Sequence, residues 1–237
     1  MIPRCLPFSI GHYEESNILR NYLKYLFQSL LSILLICAAA SAQHWFCVKW
    51  VVDGDTIVLD DGRHIRYIGI NAPEIAHDAH FIGSKQKRRQ AEPFGDAAKK
   101  YNQLLVGSQK IRLAFDKERH DRYGRWLAYV FLSNGTFVNN AMIEKGYAYV
   151  LPRRPNDQYE QVLLQSQRGA MSKKIGLWGH WKEREGKYFG SKKSKRFHLN
   201  TCPYGKKIGK RNRILFKSKW DAFWSGFAPG KRCLGGG

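Results

Sequence analysis

Short apolar runs broken by Asp-Gly turns are the feature that most restricts the fold of this chain. Val48–Val52 is apolar and β-branched and ends at an Asp-Gly-Asp turn, and Thr56–Leu59 follows as a second short run. A further turn at Asp60–Gly62 leads into His64–Ile70, where successive side chains alternate between two faces. Short strands joined by an Asp-Gly turn predict a β-hairpin, so the fold is expected to rest on short paired strands.

The rest of the central region mixes strands and helices. We expect strands at Gln109–Phe115 and Trp126–Leu132, helices at Pro93–Leu105, Val138–Lys145 and Asp157–Lys174, and a polar loop at Ile75–Gln90 that carries the basic run Lys85–Arg89. Asp157 and Glu160 form a variant capping box for the last helix. Short strands interleaved with three helices predict a mainly β chain with α elements (α+β), built as a small Greek-key barrel with helices outside.

The charge of the chain points to a polyanionic partner. Its 237 residues carry 40 Lys and Arg against 19 Asp and Glu, a formal net charge of +21. Folding does not require such an excess, which favours nucleic acid first and an anionic membrane surface second. Hydrophobic residues make up 43% of the chain, enough for a packed core, so wholesale disorder is excluded. The apolar runs are too short for a polytopic membrane protein.

The first 42 residues have the pattern of an export signal. Arg20 and Lys24 precede an apolar stretch from Tyr25 to Cys37, and small residues at Ala40 and Ala42 follow. A positive region, a short apolar region and an A-x-A site predict cleavage after Ala42 and a secreted or periplasmic mature protein. The alternative is an uncleaved anchor, because Tyr25–Ala42 is nearly long enough to span a bilayer. Its polar glutamine and serines disfavour that alternative, so no stable membrane insertion is expected after cleavage.

Three short segments carry the chemistry. They are Asp53–Thr56, Arg66–Glu74 and Asp121–Arg125. Each alone is more often an ordinary turn or loop, and only the combination is informative. It offers oxygen donors for a Ca²⁺-type ion from Asp55, Asn71, the Ala72 carbonyl and Glu74. It also offers two arginines, Arg66 and Arg125, that can clamp phosphate oxygens.

These segments, with the closing Gly-Leu-Trp-Gly, resemble the thermonuclease (staphylococcal nuclease-like) family from Cys47 to Trp178. The resemblance implies a five-stranded OB-fold barrel with three helices, assigned here to residues 43–181. It also implies Ca²⁺-dependent hydrolysis of DNA and RNA to 3′-phosphate products. By position, Asp55 would bind the metal, Arg66 and Arg125 the reacting phosphate, and Tyr123 would lie near the nucleotide. Glu74 would be the general base or would orient the water.

Two departures from the family pattern stand out. Asn71 replaces the usual aspartate two residues before the proline, so a neutral amide oxygen is left as the metal donor and Ca²⁺ affinity is expected to fall. Tyr147 and Tyr149 fall where nucleotide-contacting tyrosines are usual but in an altered sequence. We interpret them as packing residues and leave them outside the site.

The basic C-terminal segment is expected to form a separate small module at residues 187–237. From Trp181 onwards, sixteen Lys and Arg stand against three acidic residues. The segment keeps aromatic residues, so it is expected to be a folded appendage or a nucleic-acid-binding arm. It would contact substrate through Lys192, Lys193, Lys195 and Arg196. A solvated charged face is nearly as compatible with the pattern. Truncation after Gly186 is expected to leave a folded, active enzyme.

The module also resembles the small Ada-like metal-binding domain, in a degraded form. His198, Cys202 and Cys233 match three ligand positions of that domain, and Gly230 stands at the fourth. A structural zinc site uses four ligands, and an exported compartment favours disulfides. A Cys202–Cys233 disulfide or free thiols therefore rank before zinc.

The sequence as a whole predicts an exported, monomeric, Ca²⁺-dependent nuclease that acts on DNA and RNA. The first alternative is a catalytically inactive OB-fold that only binds nucleic acid, which the retention of Arg66, Glu74 and Arg125 disfavours. The second is a basic membrane-surface protein. It is disfavoured because the basic tail has no helical amphipathic period.

Overall fold

The computed structural model describes residues 20–28, 44–75, 92–183 and 186–230. The chain divides into two compact units, Met1–Gln43 and His44–Gly237. In the first unit, residues 20–28 form helix α1. The predicted cleavage site after Ala42 lies outside the described residues. Within the described ranges, none of the helices combines the length and the apolar character needed to cross a bilayer.

Five strands of the second unit close into a barrel in the order β1-β2-β3-β6-β5. They are β1 (Trp45–Asp53), β2 (Thr56–Leu59), β3 (His64–Tyr67), β5 (Lys110–Ala114) and β6 (Trp126–Leu132). Neighbouring strands are antiparallel except β3 and β6, which are parallel. The first hairpin has the predicted turn, and the expected OB-fold of the α+β class is confirmed.

Three helices pack against the barrel: α2 (Gly95–Val106), α3 (Val138–Glu144) and α4 (Glu160–Ser172). The core between them is apolar and includes Ile57, Ile65 and Ile111, all fully buried. The predicted capping box at the start of α4 is wrong. The helix begins at Glu160 after a residue that gives no side-chain cap, because the Asp157 carboxylate pairs with Lys117 and Arg154 instead.

Two short strands outside the barrel join the chain that follows β3 to the chain that follows α3. Strand β4 (Ile70–Asn71) pairs antiparallel with β7 (Tyr149–Val150), with Asn71 opposite Tyr149. Strands β3 and β6 place Arg66 opposite Leu127, two residues after Arg125. Strands β2 and β3 place Thr56 opposite Arg66, so the three segments that carry the candidate chemistry meet at the same end of the barrel.

The basic C-terminal segment is folded. It contains β8 (Tyr188–Ser191), β9 (Arg196–Leu199), α5 (Pro203–Lys206), β10 (Arg213–Phe216), α6 (Lys219–Trp224) and β11 (Ala228–Pro229). The strands form one sheet in the order β10-β8-β9-β11. We call residues 187–230 the C-terminal module.

The module and helix α4 share a second hydrophobic core. Met171 and Trp178, from the barrel side of the predicted boundary, pack in one cluster with Phe197 and Phe223 of the module. Gln167 on α4 connects the two parts, because its Nε2 donates to the Phe223 carbonyl at 2.7 Å while its Oε1 accepts from the Val150 N–H at 2.7 Å. The domain limits at residues 42, 181 and 187 stay predictions, but the module is packed on the barrel unit rather than tethered to it.

The predicted ligand positions of the module show no metal geometry among the described residues. Cys202 is disulfide-bonded, and its sulfur lies 3.8 Å from His198 Nδ1. Gly230 lies against the His198 ring, so closely that a Cβ there would be 2.0 Å from Cε1. Within the described ranges, three or more His, Cys, Asp or Glu side chains do not come together as a metal cluster. The pairing of Cys202 with Cys233 stays a prediction, since Cys233 lies outside the described residues.

Candidate active site

A pocket of about 530 Å³ opens at the end of the barrel where the three sequence segments meet. Six of the predicted site residues line it, namely Asp55, Arg66, Asn71, Glu74, Tyr123 and Arg125. Ala72 contacts the site through its backbone. Lys192 and Lys193 do not line the pocket and are exposed in the turn after β8. The structure therefore brings the predicted catalytic and metal-binding residues together and leaves the two lysines apart from them.

Asp55 is fixed by the tight turn between β1 and β2. The turn approaches the chain after β4 so closely that a Cβ on Gly54 would lie 2.4 Å from the Ala72 Cβ, so glycine is required there. Asp55 is 5% exposed. Its Oδ2 accepts from the Ala72 N–H at 2.6 Å and from Arg66 Nη2 at 2.9 Å. Both contacts orient the carboxylate toward the pocket.

The environment of Asp55 suits a cation. Burial raises the pKa of Asp55 to about 8, and although Arg66 and the Ala72 N–H lower it, Asp53 and Glu74 raise it further. Asp53, Asp55 and Glu74 thus border one pocket, and their mutual repulsion disfavours the charged form of Asp55. A hard divalent ion would relieve that repulsion with oxygen ligands of the type it prefers. Asp55 and Glu74, with Asp53 nearby, offer oxygen atoms of the kind that Ca²⁺ prefers, although these carboxylates are not gathered into a cluster of three metal ligands in the described part of the chain.

Arg66 is held by four oxygen atoms, one of which is the Asp55 carbonyl at 3.5 Å from Nη1. Nη1 donates to the Tyr67 carbonyl at 3.1 Å, and Nη2 donates to Asn71 Oδ1 at 3.1 Å in addition to its ion pair with Asp55. The Arg66 side chain is 12% exposed. One edge of its guanidinium is occupied by hydrogen bonds to protein atoms. Its position at the pocket wall is fixed before any ligand arrives.

Asn71 is engaged at both ends of its amide. Oδ1 accepts from Arg66, while Nδ2 donates to the Ala72 carbonyl at 3.0 Å and to Tyr149 Oη at 3.1 Å. Two of the predicted metal donors, the Asn71 amide oxygen and the Ala72 carbonyl, therefore already accept hydrogen bonds. Their roles as metal ligands stay predictions.

Arg125 is positioned by the turn that precedes β6. Asp121 Oδ1 accepts from the Tyr123 and Arg125 N–H groups at 2.9 and 3.1 Å, and its Oδ2 accepts from Arg125 Nε at 2.8 Å. The turn needs Gly124, whose φ is +79°. Although burial alone would raise the pKa of Asp121, hydrogen bonds from Tyr123 and Arg125 lower it overall. Asp121 thus stays ionised and anchors Arg125.

Tyr123 stands at the open rim of the pocket. Its side chain is 63% exposed, and Arg122 contacts it, with Nη2 2.6 Å from the hydroxyl and the guanidinium 4.8 Å from the ring centre. An exposed aromatic ring next to two arginines can stack on a base or cover a sugar. This placement agrees with the predicted position near the nucleotide.

The sequence did not place Asp53, Arg153 or Arg196 in the candidate active site, although all three line the pocket. Tyr149, which accepts a hydrogen bond from Asn71, was also left out. Asp53 belongs to the first motif and could have been included on that ground. Tyr149 was assigned to packing and does pack on Phe223, with 5.2 Å between ring centres, but its hydroxyl also holds Asn71. The basic run of the module predicts that Arg196 contacts nucleic acid, but only the folding of the module brings it to the pocket. No sequence signal marks Arg153.

A barrel end that combines buried carboxylates with two anchored arginines defines a site for phosphate esters. Comparison with known proteins agrees. Residues 64–180 match the family model "Staphylococcal nuclease homologue". The thermonuclease of Staphylococcus intermedius is 35% identical over 136 residues, covering 56% of this chain and 75% of that protein. The thermonuclease of Staphylococcus hyicus is 35% identical over 133 residues, 55% of this chain and 73% of that one.

A third relative, endonuclease YncB of Bacillus subtilis, is 35% identical over 132 residues, which is 54% of this chain and 58% of that protein. These likenesses show that the chain belongs to the thermonuclease family, as its motifs predict. The family model ends at residue 180, so the C-terminal module lies beyond the matched region.

Proposed function

We propose that this protein is an exported, Ca²⁺-dependent nuclease that hydrolyses DNA and RNA with little sequence preference and leaves 3′-phosphate ends. Membership of the thermonuclease family makes it a phosphodiester hydrolase. The single observation that carries the finer proposal is the shared pocket, in which Arg66 and Arg125 are both held by carboxylates beside Asp55 and Glu74.

The two arginines would bind the phosphate that is attacked. During hydrolysis negative charge builds up on the non-bridging phosphate oxygens, and donors already aimed at that charge stabilise the transition state most. Arg66 approaches the pocket from β3 and Arg125 from the turn before the neighbouring parallel strand β6, so they can reach one phosphate group from two sides. A planar guanidinium gives two parallel hydrogen bonds to such a group, which lysine cannot do.

Ca²⁺ would be held by Asp55 and Glu74, with Asp53 close by. When bound, the ion would supply positive charge that neutralises the reacting phosphate. Asn71 gives one ligand charge less than the aspartate usual in the family, so binding to the free enzyme is expected to be weak.

Glu74 would act on the attacking water, either as general base or by orienting it. It is half-buried at the pocket wall, directly after Pro73, and its backbone N–H donates to the Glu92 carboxylate at 3.1 Å. That hydrogen bond fixes the backbone of Glu74. Its carboxylate at the pocket wall can accept a hydrogen bond from a water placed in the pocket.

Little base selectivity is expected from this pocket. Its polar groups are mostly arginines and carboxylates, which suit phosphates and cations, and the aromatic ring at its rim, Tyr123, can stack on any base. The basic surface of the module, including Lys192 and Lys193, would add contacts to distant phosphates of long polymers. The leader predicts that the mature enzyme starts after Ala42.

The test is a digest of single- and double-stranded DNA and of RNA by the mature protein, with Ca²⁺ or with chelator, followed by end-group analysis. All polymers should be cut only with Ca²⁺ and should carry 3′-phosphates. Glu74→Gln should lower kcat by about 10²-fold while nearly keeping substrate affinity. The matched control is Glu144→Gln, an exposed glutamate at the end of α3. Cleavage that survives thorough chelation contradicts the metal dependence.

The alternative, an inactive nucleic-acid-binding barrel, makes a different prediction. It expects binding without cleavage and no difference in turnover between wild type and Glu74→Gln. The intact set of two anchored arginines, Asp55 and Glu74 in one pocket favours the enzyme. Turnover of the wild type above that of Glu74→Gln would exclude the alternative.

A further inference from the structure

The C-terminal module contributes a side chain to the active-site pocket. Arg196 is the first residue of β9, yet it lines the pocket together with Asp55, Arg66 and Arg125. Its backbone is fixed by pairing with Ala228 of β11, and the next residue, Phe197, is fully buried in the shared core. The module therefore presents this arginine from a rigid element.

Arg196 lacks an anionic partner within the part of the chain that the structure describes. Its Nη2 donates to the Pro152 carbonyl at 3.3 Å, and its Nη1 is buried without a hydrogen-bond partner there. Arg66 and Arg125 differ, since Arg66 pairs with Asp55 and Arg125 with Asp121. A guanidinium that is removed from water without a counter-charge costs free energy, which an anionic ligand would recover.

Arg153 lies beside it. Arg153 also lines the pocket, pairs with the exposed Glu118 at 3.2 Å through Nη2, and has its Nε buried without a partner among the described residues. Burial lowers the pKa of the Arg196 guanidinium, and the charge of Arg153 lowers it further, although Tyr149 opposes both. Two positive groups that repel each other at one pocket wall define a place for an anion.

We propose that Arg196 and Arg153 form a second phosphate subsite, which binds the phosphate next to the one that Arg66 and Arg125 hold. The inference rests on the proposed function, because it takes the ligand to be a nucleic-acid chain. A pocket of about 530 Å³ is large enough for more than a single phosphate group. The subsite would make the enzyme favour substrates with a phosphate beside the scissile one, and the module would be part of substrate recognition at the active site.

The test compares short ligands that differ by one phosphate. A deoxydinucleotide with one internal phosphodiester is compared with the same dinucleotide carrying an added 5′- or 3′-phosphate, by equilibrium binding in EDTA so that nothing is cleaved. In the wild type one of the phosphorylated forms should bind about ten-fold more tightly than the dinucleotide without the added phosphate, as expected for new charge-assisted hydrogen bonds. We call this quotient of the two affinities the affinity ratio. In Arg196→Gln the two affinities should differ by no more than about two-fold.

The matched control is Arg211→Gln. Arg211 belongs to the same module and loses the same charge, but it is exposed and does not line the pocket. It should keep the wild-type affinity ratio. Arg196→Gln should also unfold at equal or higher urea concentration than the wild type, because a buried charge without a partner is removed. If Arg196 served only to join module and barrel, its replacement would instead lower the urea concentration at the midpoint of unfolding.

Two results would overturn the subsite. One is an unchanged affinity ratio in Arg196→Gln, and the other is an equal loss in Arg211→Gln, which would make the effect one of general charge. If Arg196→Gln does not fold, Arg153→Gln decides, since the ratio must fall there too. Failure of the proposed function is a separate outcome, because it would appear as absence of cleavage with Ca²⁺ and would leave the ratios in EDTA unaffected.

Discussion

At the scale of single residues, both arginines proposed to bind phosphate are oriented by carboxylates before substrate arrives. Arg66 Nη2 lies 2.9 Å from Asp55 Oδ2, and Arg125 Nη2 lies 2.8 Å from Asp121 Oδ2. Donors fixed in this way need no reorganisation when charge develops on the phosphate. The two carboxylates differ in role, since Asp55 is also a candidate metal ligand, whereas Asp121 contacts only its own turn in the hydrogen bonds described above.

Asp121 is therefore expected to act through Arg125. In Asp121→Asn the amide can still accept from the turn N–H groups, but the charge that holds the guanidinium is lost. We expect kcat/KM to fall about ten-fold. A double-mutant cycle with Arg125→Lys measures the coupling, and the two losses should be far from additive. Asp61→Asn, which removes the partner of exposed Arg63, is the control. Additive losses would contradict a positioning role.

Asn71 is the residue where this chain departs from its family. We expect Asn71→Asp to strengthen Ca²⁺ binding, because a carboxylate adds ligand charge next to Asp55 and Glu74. The gain in activity should be largest at low Ca²⁺ and disappear at saturation. A Ca²⁺ titration of activity for both proteins measures it. A shared midpoint would show that residue 71 does not contribute to metal binding.

At the scale of elements, the segment between β5 and β6 fixes the approach to helix α4. Asp116 Oδ2 accepts from Tyr129 Oη at 3.0 Å and from the Gln158 N–H at 3.1 Å, and Oδ1 accepts from the Lys117 N–H at 2.8 Å. Burial alone would raise the pKa of Asp116, but these hydrogen bonds lower it overall. One carboxylate thus joins a barrel strand to the turn before α4.

The sign of this pKa shift gives a pH-dependent stability. The folded protein favours the ionised form of Asp116. The stabilisation is therefore present above the pKa that Asp116 has in the unfolded chain, and it is lost as the pH falls through the lower pKa that Asp116 has in the folded protein. Asp116→Asn should cost about 1 kcal/mol of unfolding free energy at pH 7, and the difference should shrink in acid.

Urea unfolding of wild type and Asp116→Asn at pH 7 and at about pH 3 tests this prediction. Asp60→Asn, which changes an exposed aspartate in the turn after β2, is the control and should cost little at either pH. A difference between wild type and Asp116→Asn that stays constant with pH would show that the Asp116 charge is not responsible.

At the scale of the whole molecule, barrel and module behave as one folded unit. Trp178 is 2% exposed because module residues such as Phe223 cover it, with 5.3 Å between ring centres. Arg168 Nε also donates to the Trp224 carbonyl across this contact at 2.9 Å. The sequence alone predicts that truncation after Gly186 leaves a folded, active enzyme, and the shared core revises that prediction.

We now expect truncation after Gly186 to lower the unfolding free energy by several kcal/mol, roughly the effect of exposing two or three large apolar side chains. Binding to long polymers should also depend less steeply on salt, because fewer phosphates are neutralised. Thermal unfolding and salt-dependent binding measure the two effects. A full-length variant with Lys206, Lys207 and Lys210 changed to Gln separates them. This lysine variant should show a flatter salt dependence of binding and keep the stability of the wild type. An unchanged melting temperature in the truncated protein would contradict the shared core.

The sequence by itself determined the barrel, the three helices and most of the candidate site. The first hairpin forms between residues that are close in sequence, so Asp-Gly turns and alternating residues were sufficient to place it. The family motifs identified Asp55, Arg66, Glu74 and Arg125 as candidate site residues. The start of α4 was placed wrongly because Asp157 pairs with Lys117, which lies far away in sequence. Local capping rules cannot anticipate such a pair.

Only the tertiary structure decided how the module relates to the site. The burial of Trp178, the hydrogen bond from Asn71 to Tyr149 and the arrival of Arg196 at the pocket all depend on contacts between residues distant in sequence. Composition marks the module as basic, but charge does not specify where a chain packs. The position of Arg196 follows instead from apolar burial and from pairing of β9 with β11, and neither leaves a local pattern in the sequence.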